Sequence, residues 1–160
     1  MAGKEFIVDP SQIDYSNIVA DLQEIRRFNA QRDAMEQLTA IVLDDPEQGI
    51  CIGYRDTTPD EFLCSGHMPG MPLMPGVIMC EAAAQICSFH SRRNDLLGCE
   101  VVGFGGLDNV KFRGMVFPGD RLTIVNQVIK LRRGRMLTTR FEAFTNNNLV
   151  CEGEIRAIPL

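Results

Sequence analysis

Residues 66–93 read Gly66-His67-Met68-Pro69-Gly70-Met71-Pro72-Leu73-Met74-Pro75-Gly76-Val77-Ile78-Met79-Cys80-Glu81-Ala82-Ala83-Ala84-Gln85-Ile86-Cys87-Ser88-Phe89-His90-Ser91-Arg92-Arg93, and this stretch decides the fold. The prolines at 69, 72 and 75 recur every third residue. Each fixes φ and pushes the residue before it away from helical conformation, so 66–76 is a stiff, extended loop. It releases into Val77 to Arg93, a helix-favouring segment whose first half is apolar on nearly every side: Val77, Ile78, Met79, Cys80, Ala82, Ala83, Ala84, Ile86. Such a helix must be surrounded by protein.

Working outward, Ile18, Val19, Leu22, Ile25 and Phe28 fall at helical spacing and predict a short amphipathic helix over 17–30. Leu38 to Leu43 is an apolar, β-branched run. Asp44-Asp45-Pro46-Glu47-Gln48-Gly49 is a turn, and Ile50 to Arg55 completes a hairpin. Beyond the buried helix come four strand-like runs, 99–113, 120–131, 135–145 and 149–158. Turns at Val116-Phe117-Pro118-Gly119-Asp120, Arg132-Arg133-Gly134 and Asn146-Asn147-Asn148 separate the last of them. The expected order is helix, two strands, buried helix, antiparallel meander. That is an α+β fold with a sheet wrapped around a long central helix.

The 160 residues suffice for about one domain at roughly 150 residues each. With 45% hydrophobic and 23% charged residues, the composition excludes a disordered tail, a collagen-like fibre and a disulfide miniprotein. No apolar run is long enough for a transmembrane helix. The start, Met1-Ala2-Gly3-Lys4-Glu5, shows no apolar segment of a secretion signal, so an intracellular, cytoplasmic setting is expected. The six cysteines, 51, 64, 80, 87, 99 and 151, form no CxxC pair and read as small reduced hydrophobes. The two histidines, His67 and His90, are far apart in sequence with no acid or thiol cluster beside them, so no metal site is expected. The net charge of −5 argues against nucleic acid. It is unevenly spread: residues 1–66 carry 13 acids and 5 bases, residues 67–160 carry 8 acids and 11 bases. The basic cluster Lys111, Arg113, Arg121, Lys130, Arg132, Arg133 and Arg135 reads first as a solvated hairpin, and second as a landing patch for an acidic partner.

Two polar side chains interrupt the apolar helix. Glu81 and Gln85 stand four apart and share a face. Glutamate is almost never fully buried unpaired; Glu81 either faces a solvent-filled crevice or a subunit interface, or is a catalytic acid. His67 lies fourteen residues upstream, at the start of the stiff loop. The loop ends at a helix N-terminus, where the N–H groups of Gly76 and Val77 can polarise a carbonyl oxygen. Base, acid and oxyanion donors suit β-elimination from a carbonyl compound: removal of an α proton, stabilisation of the enolate, protonation of the departing β-hydroxyl. The same parts serve hydration, isomerisation or thioester hydrolysis.

Residues 66–85 resemble the signature GHFPGxPxxPGVLxxEAxAQ of the bacterial β-hydroxyacyl-acyl carrier protein dehydratases, the hotdog-fold enzymes of type II fatty acid synthesis, with Met68 and Ala83 as mild departures. Leu107-Asp108-Asn109-Val110-Lys111-Phe112-Arg113 and Val116-Phe117-Pro118-Gly119-Asp120-Arg121-Leu122 resemble a second family segment. The resemblance covers about 38–158, which makes 38–158 the hotdog core of a single domain over 1–160, with 1–32 a helical N-terminal extension. It implies dehydration of (3R)-hydroxyacyl-acyl carrier protein to the trans-2-enoyl product, with His67 and Glu81 catalytic, Gly76 and Val77 on the thioester carbonyl, and Gln85 holding the glutamate. It implies no metal or nucleotide, an acyl carrier protein bearing phosphopantetheine as partner, no membrane, and a homodimer or trimer of dimers with His67 of one chain facing Glu81 of another. The alternatives are a hotdog acyl thioesterase and a non-catalytic acyl-thioester-binding paralogue. Where the family carries Pro-His-Arg, this chain has Ala30-Gln31-Arg32. Gly103, Gly105 and Gly106 thin out the strand before Asp108.

Overall fold

The computed structural model describes residues 5–160. Met1–Lys4, part of the start read above for a secretion signal, lie outside the described residues. The helix expected over 17–30 is shorter: α1 spans Leu22–Phe28. Asp21 caps it, its carboxylate accepting the Glu24 N–H at 2.9 Å, and this pins the start. Val19 and Ala20 instead run extended, and both donate their amides to the Ile41 carbonyl. The hairpin forms as expected from β1 (Ala40–Asp45) and β2 (Ile50–Asp56). Its turn is tighter than the sequence suggests, because Asp45 Oδ1 accepts the amides of Glu47 and Gln48 and so closes the strand itself.

A short helix, α2 (Phe62–Gly66), precedes the proline loop, and the long helix α3 spans Gly76–Arg93. Four strands follow: β3 (Val102–Phe112), β4 (Arg121–Arg132), β5 (Met136–Thr145) and β6 (Asn148–Pro159). All pair antiparallel in one six-stranded sheet of order β1-β2-β4-β5-β6-β3. Strands β4 to β6 are the expected meander, but β3 lies at the far edge, on β6, rather than beside β4. The linker between them is the cause. The Phe117–Asp120 turn is bonded to Thr57 at the end of β2, whose amide donates to the Asp120 carbonyl and whose hydroxyl reaches the carbonyls of Phe117 and Asp120. The chain is thereby delivered to the open side of β2, with which β4 pairs from Asp56↔Arg121 to Ile50↔Gln127.

The inner face of this curved sheet holds α3. Ala82, Ala83, Ile86 and Phe89 are fully buried against Ile41, Ile124, Phe141 and Ile155, as the all-round apolarity demanded. This is the hotdog arrangement. At the first turn the helix emerges, and Val77 is 70% exposed. The outer face has its own apolar layer, Val42, Ile52, Tyr54, Val125 and Phe144, covered by Phe6, Ile7, Val8, Ile13 and Tyr15 of the N-terminal arm. Among the described residues no helix is long and apolar enough to cross a membrane.

His90, read in sequence as remote from acids and thiols, has both beside it in space. Asp44, Cys51 and His90 bring their donor atoms within 4.8 Å of one another; strand-to-helix separations of dozens of residues hide this. The Asp44 carboxylate accepts from His90 Nδ1 and from Asn94 Nδ2, and Arg93 stands 3.6 Å away. The group is a hydrogen-bond network centred on the Asp44 carboxylate, and it ties the end of β1 to the last turn of α3. Burial pushes the Asp44 carboxyl up, but the hydrogen bonds from His90 and Asn94 outweigh it and hold its pKa below the usual carboxylate value. A depressed folded-state pKa contributes stability above the unfolded value, near 4, that is lost as pH falls through the folded value. Asp44→Asn is therefore expected to cost about 1–3 kcal/mol at pH 7 and to flatten the acid limb of stability, as read by urea unfolding between pH 7 and pH 3.

Candidate active site

The proline loop is a built object. Met68-Pro69-Gly70-Met71 closes a turn through reciprocal Met68 and Met71 backbone bonds. Gly70 supplies the positive φ of +79° that the position after proline requires. The Met74 amide donates to the Val116 carbonyl, so the Pro118-Gly119-Asp120 turn underpins the loop as well as β4. His67 caps the end of α2, its amide donating to Leu63 and its carbonyl accepting from Leu73. Its Nδ1 lies 2.9 Å from the Leu73 carbonyl oxygen. A carbonyl only accepts, so Nδ1 carries the hydrogen and Nε2 keeps its lone pair. The loop thus holds the imidazole through Nδ1 and leaves Nε2 as the ring nitrogen without a partner in the loop.

Glu81 sits in the second turn of α3, and its Oε1 accepts from Gln85 Nε2 at 2.8 Å. Gln85, 2% exposed, is fully engaged. Its Nε2 also donates to the Met35 carbonyl at 2.6 Å, and its Oε1 accepts the Gln37 amide at 2.9 Å. Asn29 Nδ2 donates to the Gln85 backbone carbonyl at 2.9 Å. The segment after α1 is thereby stitched to the glutamate-bearing turn.

Gly76 opens α3, and Pro75 offers no capping side chain, so the first-turn amides of Gly76 and Val77 face outward without one. A glycine is required there for a reason the sequence did not disclose. A Cβ at Gly76 would lie 2.7 Å from the Phe112 ring, so the aromatic at the end of β3 is laid across the helix start.

Glu81 lines a cleft between α3 and the β3–β6 edge, with Ala84, Cys87 and Ser88 on the helix side, Val102, Gly103 and Phe104 on β3, and Gln31 at the rim. His67 is not among the residues lining it. Within one chain the structure brings together Glu81 and Gln85, and separately the Gly76–Val77 helix start. It leaves His67 on its own loop. Beside the cleft, β3 presents an unpaired edge bearing Phe104, Leu107 and Phe112, all more than a third exposed. Sequence reasoning missed Ser88, although its spacing of seven from Glu81 puts it on the same helical stripe, and treated Gln31 only as a departure from a pattern. The thin glycine stretch is filled from β6 and the residue that follows it: a Cβ at Gly106 would meet Arg156, and one at Gly103 would meet Leu160.

A six-stranded antiparallel sheet around one helix, with a glutamate in that helix and a histidine on the loop feeding it, defines the class. The chain carries it into a known family: residues 29–154 match the model of the FabA-like domain, and the chain belongs to that family. The 3-hydroxyacyl-acyl-carrier-protein dehydratase FabZ of Campylobacter jejuni is 37% identical over 144 residues, covering 88% of this chain and 95% of the relative. The enzyme of the same name from Geotalea uraniireducens is 34% identical over 139 residues, covering 86% and 94%. Among solved structures, the dehydratase heterocomplex ApeI:P from Xenorhabdus doucetiae superposes with a TM-score of 0.70 at 14% identity, over 85% of this chain and 90% of that one. A sigma28-regulated virulence protein from Campylobacter jejuni gives 0.69 at 13% identity, over 92% and 95%. At that identity the two structures establish the fold.

Gln85→Ala removes two donors and one acceptor from a buried network. It is expected to cost about 1–3 kcal/mol of stability and to raise the hydrogen-exchange rate of the Gln37 amide. Unchanged exchange at Gln37 would show that the network is not what holds the segment.

Proposed function

We propose that the chain dehydrates 3-hydroxyacyl thioesters to 2-enoyl thioesters, as the FabZ relatives are named for doing, within fatty acid or related lipid synthesis. The observation that carries the reading is the matched preparation of two groups. His67 Nε2 is left free by the Nδ1–Leu73 bond, and the Glu81 carboxyl is aimed by Gln85. In the proposed reaction His67 Nε2 takes the proton from the carbon next to the thioester carbonyl. The N–H groups of Gly76 and Val77 steady the enolate oxygen. Glu81, protonated, gives its proton to the departing hydroxyl, which leaves as water. Each acid–base group is worth about 10²–10⁴-fold.

The site is completed across two chains, with His67 of one protomer and Glu81 of the other. Supporting this, the Glu81 cleft lacks a base of its own, and the flanking β3 edge is unpaired and bears Phe104 and Phe112, the kind of edge that invites pairing. The acyl chain arrives on an acidic carrier protein. Arg113, Arg121 and Arg133 are engaged with Glu152, Asp56 and Asp95, which leaves Lys130, Arg132 and Arg135 at the β4–β5 hairpin for such a partner. All six cysteines are free, consistent with a reducing cytoplasm.

His67→Ala and Glu81→Gln are each expected to lower turnover of a 3-hydroxybutyryl thioester by at least about 10²-fold, with circular dichroism unchanged. Wild-type rates in both would overturn the assignment. When the two inactive variants are mixed and allowed to exchange subunits, activity is expected to return, because each mixed dimer then holds one intact site. A mixture that exchanges yet stays inactive would place both groups in one chain.

A further inference from the structure

The cleft continues past the carboxylate. Glu81, Ala84 and Ser88 follow one stripe of α3 for two turns, about 10 Å at 1.5 Å per residue, opposite Val102 and Gly103 and above Ile155 and Ala157. These walls are apolar except for two side chains beyond Glu81. The Ser88 hydroxyl makes no hydrogen bond to the described protein. Gln31 Oε1 is buried and likewise has no partner. Gln31 is held there because Asn29, two residues earlier, is bonded to the Gln85 carbonyl one turn past Glu81. A buried polar atom such as Gln31 Oε1 is nearly always bonded in folded proteins, the half-buried Ser88 hydroxyl lines the same cleft, and pockets fix ligand orientation with a few polar groups set in apolar walls.

From this pair we infer that the cleft selects acyl chains that carry a hydroxyl group on their distal part, over plain alkyl chains. The inference rests on the cleft being the acyl site of the proposed reaction. A hydroxyl can donate to the Gln31 carbonyl oxygen and accept from Ser88 Oγ. A distal carboxylate has no hydrogen to donate to the Gln31 carbonyl oxygen, so a hydroxyl is the group that fits. Ser88→Ala and Gln31→Leu leave the apolar walls in place and remove one partner each.

The test is calorimetric titration of the full chain with saturated acyl-pantetheine thioesters, hexanoyl to decanoyl, each plain and with a terminal hydroxyl. At the length that reaches Ser88, the hydroxyl is expected to tighten binding about tenfold, the value of one well-made hydrogen bond. Ser88→Ala and Gln31→Leu are each expected to remove most of that gain, with circular dichroism confirming the fold. Equal affinity of plain and hydroxylated chains at every length overturns the inference, as does a gain that persists in the double variant. Turnover of the 3-hydroxybutyryl thioester is scored separately. Turnover without discrimination refutes the distal-hydroxyl inference and leaves the dehydratase reading standing. Discrimination without turnover does the reverse.

Discussion

The structure turns on the side-chain amide of Gln85. A primary amide buried in a helix–sheet interface must satisfy two hydrogens and a carbonyl oxygen, and an unbonded one would cost several kcal/mol at most and about one at least. Here the Glu81 carboxylate and the Met35 carbonyl take the hydrogens, and the Gln37 amide meets the oxygen. One residue therefore settles three matters together. It aims the carboxyl, anchors the segment that leads into β1, and lets a polar group sit inside a helix that is otherwise wrapped in hydrocarbon. The stitching also brings Gln31 to the cleft rim, so the placing of the acid and the shaping of the cleft share one cause.

A second consequence concerns what a single chain leaves undone. Helix α3 is buried along its middle and far turns but emerges at Val77, and β3 ends the sheet with its backbone groups unpaired on one side. Exposed edges are normally shortened, charged or covered. This one is eleven residues long and carries two exposed phenylalanines. The same region holds the Gly76 amides, the Phe112 ring against them and the mouth of the Glu81 cleft. Chemistry and unfinished surface coincide, and that coincidence is the ground on which a second copy of the chain is proposed there.

Much of this was legible in the sequence because it rests on local rules. Three prolines in triplet spacing define the loop, all-round apolarity defines a wrapped helix, and Glu81 and Gln85 at spacing four declare a shared face. The elements the sequence misplaced are those fixed by contacts distant along the chain. Strand β3 goes to the far edge because Thr57 captures the Phe117–Asp120 turn. The first helix starts at Leu22 because Ala20 bridges to Ile41. The partners of His90 come from a strand and a helix separated by most of the hairpin and loop. None of these leaves a periodic trace, and the resemblance to a family signature carried no information about them.

The two faces of α3 divide the work, and the division explains why both are polar in a helix that had reason to be neither. On the stripe toward β3, Glu81 and Ser88 border an open cleft, where a polar group can meet something that enters. On the stripe toward β1, His90 is sealed at 0% exposure with Asp44, where a polar group can meet only its neighbours. A hydrogen-bonded couple closed to solvent fixes the register between helix and hairpin at the cost of desolvation. An unbonded hydroxyl beside a cleft gains nothing for the fold. Ser88 and Gln31 are therefore placed to meet a ligand, whereas Asp44 and the Nδ1 side of His90 meet each other.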